Sequence, residues 1–103
     1  MDIEFSQKRA QQVAEFMKCF GSEHRLLILC QLVEGEKSVT ELIEATGMAQ
    51  TSMSQHLNKL RREGLIDFKR QHRILYYSIV DQNALKIMQT LYEAFCKDIK
   101  QDS

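Results

Sequence analysis

The sequence predicts a mainly helical fold with one small β-hairpin set before the last helix, and three observations carry that expectation. Apolar residues recur at helical spacing through residues 6 to 19, 23 to 34, 50 to 63 and 82 to 99. There is no proline, and the four glycines, Gly21, Gly35, Gly47 and Gly64, fall between those stretches. Only residues 65 to 80 change to the β-branched and aromatic composition of strands, around a polar, basic tip.

The first helix is expected over residues 6 to 19, with Ser6 as its N-cap and Ala10, Val13, Ala14, Met17 and Phe20 on one side. Ser22 offers an N-cap to a second helix over 23 to 34. Its residues Leu26, Leu27, Ile28, Leu29, Cys30, Leu32 and Val33 are apolar on most sides, which predicts a path through the middle of the core. Ser38-Val-Thr-Glu41 has the spacing of a capping box and opens a short helix to about Thr46, which Gly47 stops. A fourth helix runs from about 50 to 63 and ends at Gly64. Short helix, glycine-containing turn and second helix form the layout of a helix-turn-helix. Residues 65 to 70 and 74 to 80 then read as the strands of a hairpin, which makes the whole a winged helix-turn-helix. Asp81 caps a last helix of about 82 to 99, where Leu85, Met88, Tyr92, Phe95 and Ile99 recur at three- and four-residue spacing.

The 103 residues, 44% hydrophobic and 27% charged, fit one globular domain spanning 1–103. A chain of this size gains stability by dimerising. No stretch approaches the ~20 apolar residues of a bilayer span, and Asp2 and Glu4 break the layout of a secretion signal, so a cytoplasmic protein without membrane contact is expected. Fourteen basic and fourteen acidic residues cancel, so net charge by itself does not point to nucleic acid. Their distribution does. Between Gln50 and Arg73, Lys59, Arg61, Arg62, Lys69, Arg70 and Arg73 oppose only Glu63 and Asp67, a local charge of +4 that the rest of the chain offsets.

On a helical wheel of ~100° per residue, Ala49, Met53, Leu57 and Leu60 form the buried stripe of the fourth helix. Thr51, Ser54, Gln55, Asn58 and Arg62 point away from it, and Gln50 is accessible at the helix start. Short hydroxyl and amide side chains reach base edges without holding a helix off the major groove. Lys59, Arg61 and Arg62 suit phosphate contacts, as do Lys69, Arg70, His72 and Arg73 at the wing tip. Such a polar face on its own equally describes a solvated helix surface. His56 lies on the flank toward the buried stripe and reads as a packing or hydrogen-bonding residue before a base reader.

Ser-Glu-His-Arg-Leu at 22 to 26, Ser-Val-Thr-Glu-Leu at 38 to 42 and Met-Ser-Gln-His-Leu-Asn-Lys-Leu-Arg-Arg-Glu-Gly-Leu-Ile at 53 to 66 resemble the ArsR/SmtB repressor family over nearly the whole chain. The resemblance implies a homodimer built by the first and last helices, binding a palindromic double-stranded operator and repressing transcription until an inducer weakens the complex. Many members of that family bind metals through cysteines at the start of the helix before the recognition helix, or through aspartate and histidine on the last helix. Here residues 37 to 42 carry no thiol and the last helix no histidine, and His24, His56 and His72 sit on three separate elements, so no metal or other cofactor is expected.

The cysteines, Cys19, Cys30 and Cys96, form neither a secreted disulfide framework nor a CxxC pair. By position alone, cysteines in apolar helices read as core filler. Leu29-Cys30-Gln31-Leu32-Val33-Glu34-Gly35-Glu36 together with Ala94-Phe95-Cys96 is similar to the BigR/SqrR/YgaV and HlyU group of the family. That similarity implies that Cys30 and Cys96 form a redox-sensing dithiol, reduced on DNA and bridged by persulfides or polysulfides acting as inducers. The HlyU side of the group implies an alternative, a general oxidant-responsive switch at virulence genes, and a metal- or arsenical-responsive repressor is a third reading. Cys19 has no place in the pairing and reads as packing. An enzyme is not expected: the chain lacks acid/base pairs, a phosphate loop and a triad-like set.

Overall fold

A computed structural model describes the backbone of residues 3–96 and the side chains of residues 6–95. Five helices and three strands follow in the order α1 (Ile3–Met17), a short 3-10 turn (Lys18–Phe20), α2 (Glu23–Val33), β1 (Lys37–Ser38), α3 (Val39–Thr46), α4 (Gln50–Arg62), β2 (Ile66–Gln71), β3 (Ile74–Ile79) and α5 (Gln82–Leu91), with a π-helical turn over Tyr92–Cys96. Among the described residues no helix is long and apolar enough to cross a membrane.

The caps form where the residue types allow them. The Ser22 hydroxyl accepts from Arg25 N, and the Asp81 carboxylate from Ala84 N at 2.8 Å. At α3 both halves of the capping box are made: Glu41 N donates to the Ser38 hydroxyl at 3.1 Å, and Ser38 N to the Glu41 carboxylate at 2.8 Å. Gly47 ends α3 in the left-handed conformation, φ 73°. After α4, Leu65 N reaches back to Leu60 O at 3.1 Å and Gly64 N to Arg61 O at 3.0 Å, with Gly64 at φ 84°. That double return is a Schellman motif, and it aims the chain from α4 straight into the hairpin.

β3 is the central strand of an antiparallel sheet ordered β1-β3-β2. Phe68 faces Tyr77 and Gln71 faces Ile74 across the hairpin, while Lys37 and Ser38 pair with Tyr77 and Tyr76. Ile28, Leu29 and Leu32 of α2, Leu42 of α3, Met53, Leu57 and Leu60 of α4, Leu65 and Ile66, and Ala84 and Met88 of α5 meet in one core.

Several expectations need correction. The first helix begins at Ile3, so Ser6 lies within it rather than at its N-cap, and it gives way to the 3-10 turn after Met17. Val13 and Met17 are 54% and 45% exposed, so the apolar spacing of α1 marks a face turned away from this chain's own core. Leu27 is 40% exposed, so α2 is apolar on a side the core does not cover. Ala49 is exposed because it is the extended N-cap residue of α4, not part of its buried stripe. β1 was not anticipated: two residues are too few for a period-2 pattern. The last helix becomes π-helical after Leu91, and Ile99 lies outside the described residues.

Candidate nucleic-acid interface and thiol site

Met53, Leu57 and Leu60 are at most 1% exposed, so packing against α2 and α3 fixes which way α4 faces. On the opposite side Gln50, Thr51, Ser54, Gln55, Asn58, Lys59, Arg61 and Arg62 are all exposed. Gln55, Asn58, Arg61 and Arg62 line a shallow polar groove of about 420 Å³. In the wing, Lys69, Arg70, Gln71, His72 and Arg73 are exposed, and His72 holds a positive φ of 60° at the two-residue tip.

Both acids of this basic segment are engaged. The Asp67 carboxylate accepts from Arg61 Nε at 2.9 Å and from Phe68 N at 2.8 Å, contacts that hold its carboxyl below the usual range. The Arg61 guanidinium also lies 4.2 Å over the Phe68 ring. Arg61, expected at a phosphate, is thus the brace between α4 and the root of the wing. Nothing in the local sequence signals this pairing, because the six-residue separation has meaning only once the turn at Gly64 exists.

Glu63, the C-cap residue of α4, joins α4 to the elements before it. Its carboxylate accepts from the Cys19 thiol at 2.6 Å and lies 3.8 Å from the Arg25 guanidinium. Burial first, then the hydrogen bond and charge of Glu63, push the Cys19 thiol up to about 11. Cys19 therefore stays a thiol at neutral pH, in keeping with its packing assignment. Reduced protein treated with iodoacetamide at neutral pH is expected to keep Cys19 unalkylated after the other thiols react, as read by peptide mass, and to lose only part of that protection in Glu63→Ala, since burial remains.

The structure brings together two histidines read as separate. The rings of His24 on α2 and His56 on α4 lie 5.3 Å apart at a 45° tilt. Burial, then the neighbouring His24, Arg25 and Lys59, hold His56 below its ordinary value of 6.5. The folded state thus resists a proton that the unfolded chain accepts. Its contribution to stability is full above about 6.5 and falls as the pH drops through the folded value. Thermal melts from pH ~7.5 to ~5.5 should show the wild type losing more stability than His56→Gln; equal losses would place the histidine pair outside the balance.

Among the described residues no group of three or more His, Cys, Asp or Glu is placed to hold a metal. Cys30 is half-buried on α2, packed against the core. Cys96 is the last residue of the π-helical turn, which packs against α2; its side chain lies outside the described residues. Beside Cys30, between α2 and α5, is an apolar cavity of about 520 Å³. No sequence signal announced it, since its two walls are some sixty residues apart.

Residues 22–67 match the family model described as bacterial regulatory protein, arsR family. The chain is 37% identical over 101 residues to the biofilm growth-associated repressor of Xylella fastidiosa, covering 98% of this chain and 89% of that one. It is 29% identical over 97 residues to the transcriptional activator HlyU of Vibrio cholerae, covering 94% and 90%. The crystal structure of the transcriptional repressor BigR from Xylella fastidiosa superposes with a TM-score of 0.87 at 35% identity, covering 94% of this chain and 96% of that one.

Proposed function

This chain belongs to the arsR family of bacterial regulatory proteins, and we propose that it is a dithiol-switched transcriptional repressor, bound to operator DNA when reduced and released when Cys30 and Cys96 are bridged. The observation that carries the reading is the division of α4: three leucine and methionine side chains wholly in the core, and behind them an exposed face of Gln50, Thr51, Ser54, Gln55 and Asn58. These five read base edges in the major groove. Lys59 and Arg62, with Arg70, His72 and Arg73 of the wing, hold the phosphates and set the register.

The active form is a homodimer through α1 and α5. Val13 and Met17 on α1 and Phe95 after α5, the last 64% exposed, are the apolar surface a second copy would cover. Two copies then present two recognition helices to a palindrome.

The inducer is a low-molecular-weight persulfide or polysulfide. One thiolate takes the outer sulfur of R–S–SH and expels RSH; the second thiol attacks the resulting cysteine persulfide and expels hydrogen sulfide. A disulfide forms, the two thiols are oxidised, and the persulfide is reduced to RSH and hydrogen sulfide. The bridge moves α2, and α2 is the helix that touches α4 through His24–His56 and Arg25–Glu63.

The test is the response of DNA affinity to a persulfide in wild type, Cys30→Ser and Cys96→Ser. Release in the wild type and none in either variant supports the reading; release in all three overturns it. Likeness to HlyU of Vibrio cholerae, one of whose solved structures is described as the reduced protein, favours one alternative, a general oxidant switch. On that reading peroxide releases DNA as well as the persulfide does.

A further inference from the structure

We propose that the cavity beside Cys30 is a donor-selecting site, and that the species which reacts at this thiol is a neutral, apolar organic polysulfide such as a dialkyl trisulfide, in preference to donors carrying carboxylates. The proposal rests on Cys30 being the sensing thiol and adds which members of the reactive-sulfur class it takes.

Leu26 and Leu27 of α2, Met88 and Leu91 of α5, and Phe95 form the walls, with Cys30 among them. Apart from the cysteine, the only polar side chain among the described lining residues is Glu23, in the first turn of α2. The volume, about 520 Å³, lies within the ~300–1,000 Å³ of small-molecule sites. A carboxylated donor brought to this wall loses water, finds no cation among the described lining residues in exchange, and meets the like charge of Glu23. Alkyl chains flanking a run of sulfur gain by the same burial.

The first step balances without any further reactant. The Cys30 thiolate, its proton given to solvent, attacks an outer sulfur of R–S–S–S–R. A Cys30–S–S–R mixed disulfide forms, the attacked S–S bond breaks, and the persulfide anion R–S–S⁻ leaves with the electron pair. The thiolate sulfur is oxidised to the disulfide level while the central sulfur of the trisulfide is reduced in step as the terminal sulfur of the departing persulfide anion, so no outside oxidant is needed.

The test compares dipropyl trisulfide with bis(2-carboxyethyl) trisulfide on the reduced full chain, reading the Cys30 adduct by mass against time. N-acetylcysteine amide serves as the reference thiol without a pocket. The ratio of neutral to carboxylated rate at Cys30 is expected to exceed the reference ratio about tenfold. Glu23→Gln should narrow the gap by speeding the carboxylated donor alone. Leu27→Lys, which sets a cation at a position already 40% exposed and is checked for folding by its melt, should erase the gap. A ratio equal to that of the reference thiol overturns the proposal, whether because a second copy fills the cavity or because its walls do not discriminate. DNA release tells the two claims apart. Selective adduct formation without release sinks the switch but upholds the donor site, and equal release by both donors through Cys30 does the reverse.

Discussion

Leu57→Ala is expected to lower the stability of the fold by about 2–5 kcal/mol, the largest single effect predicted for this chain. Leu57 is 1% exposed, between Met53 and Leu60 on the one face of α4 that enters the core. Removing its branched end takes apolar contact from a close-packed region that relaxes only in part. A domain of this size has a total stability of about 5–15 kcal/mol, so the loss can consume much of it. Urea denaturation should show the midpoint falling with little change in slope. Operator binding should fall with the folded fraction and recover toward wild type at low temperature or with added DNA, since the exposed polar face of α4 is unaltered.

The neighbouring position should behave in the opposite way. Gln55→Ala and Asn58→Ala lie on the exposed face of α4 and should leave the melt nearly unchanged. Each should cost about 1–3 kcal/mol of operator affinity, roughly fivefold to 150-fold in Kd, and relax preference at one base position. Lys59→Ala and Arg62→Ala should instead weaken binding to all duplexes alike and reduce the salt slope by about 1 each. Titrating each variant against operator and scrambled duplex at two salt concentrations separates the classes. If Asn58→Ala weakened both duplexes equally, the base-reading role given to that side chain would be wrong.

Residues 57 and 58 also show which parts of the molecule were legible before the structure. Their opposite roles follow from a helical wheel, because the stripe of Met53, Leu57 and Leu60 is periodic and local. The capping box at Ser38–Glu41 and the left-handed glycines at 47 and 64 are legible for the same reason: each is a short-range device with one geometric use. Ala49 and Ser6 misled because the wheel does not say where a helix starts. Ser6 resembles a cap in composition, yet α1 continues through it. The apolar face of α1 was legible as a face and illegible in direction, since periodicity does not state which molecule the face packs against. Contacts between distant segments left no trace. Cys19 with Glu63, His24 with His56 and Arg61 with Asp67 exist only because the turns bring their elements together. For the thiol site the sequence offered two cysteines in apolar helices, which as a pattern describes packing equally well. Their assignment as a pair came from likeness to a family.

The most direct test of the central claim is fluorescence anisotropy of the reduced protein on an operator duplex obtained by in vitro selection, before and after a low-molecular-weight persulfide, with peptide mass mapping of the same samples. The account predicts tight, salt-sensitive binding by the reduced protein, and loss of that binding in step with a bridge joining the Cys30 and Cys96 peptides. Unchanged affinity in samples where that bridge has formed would contradict it.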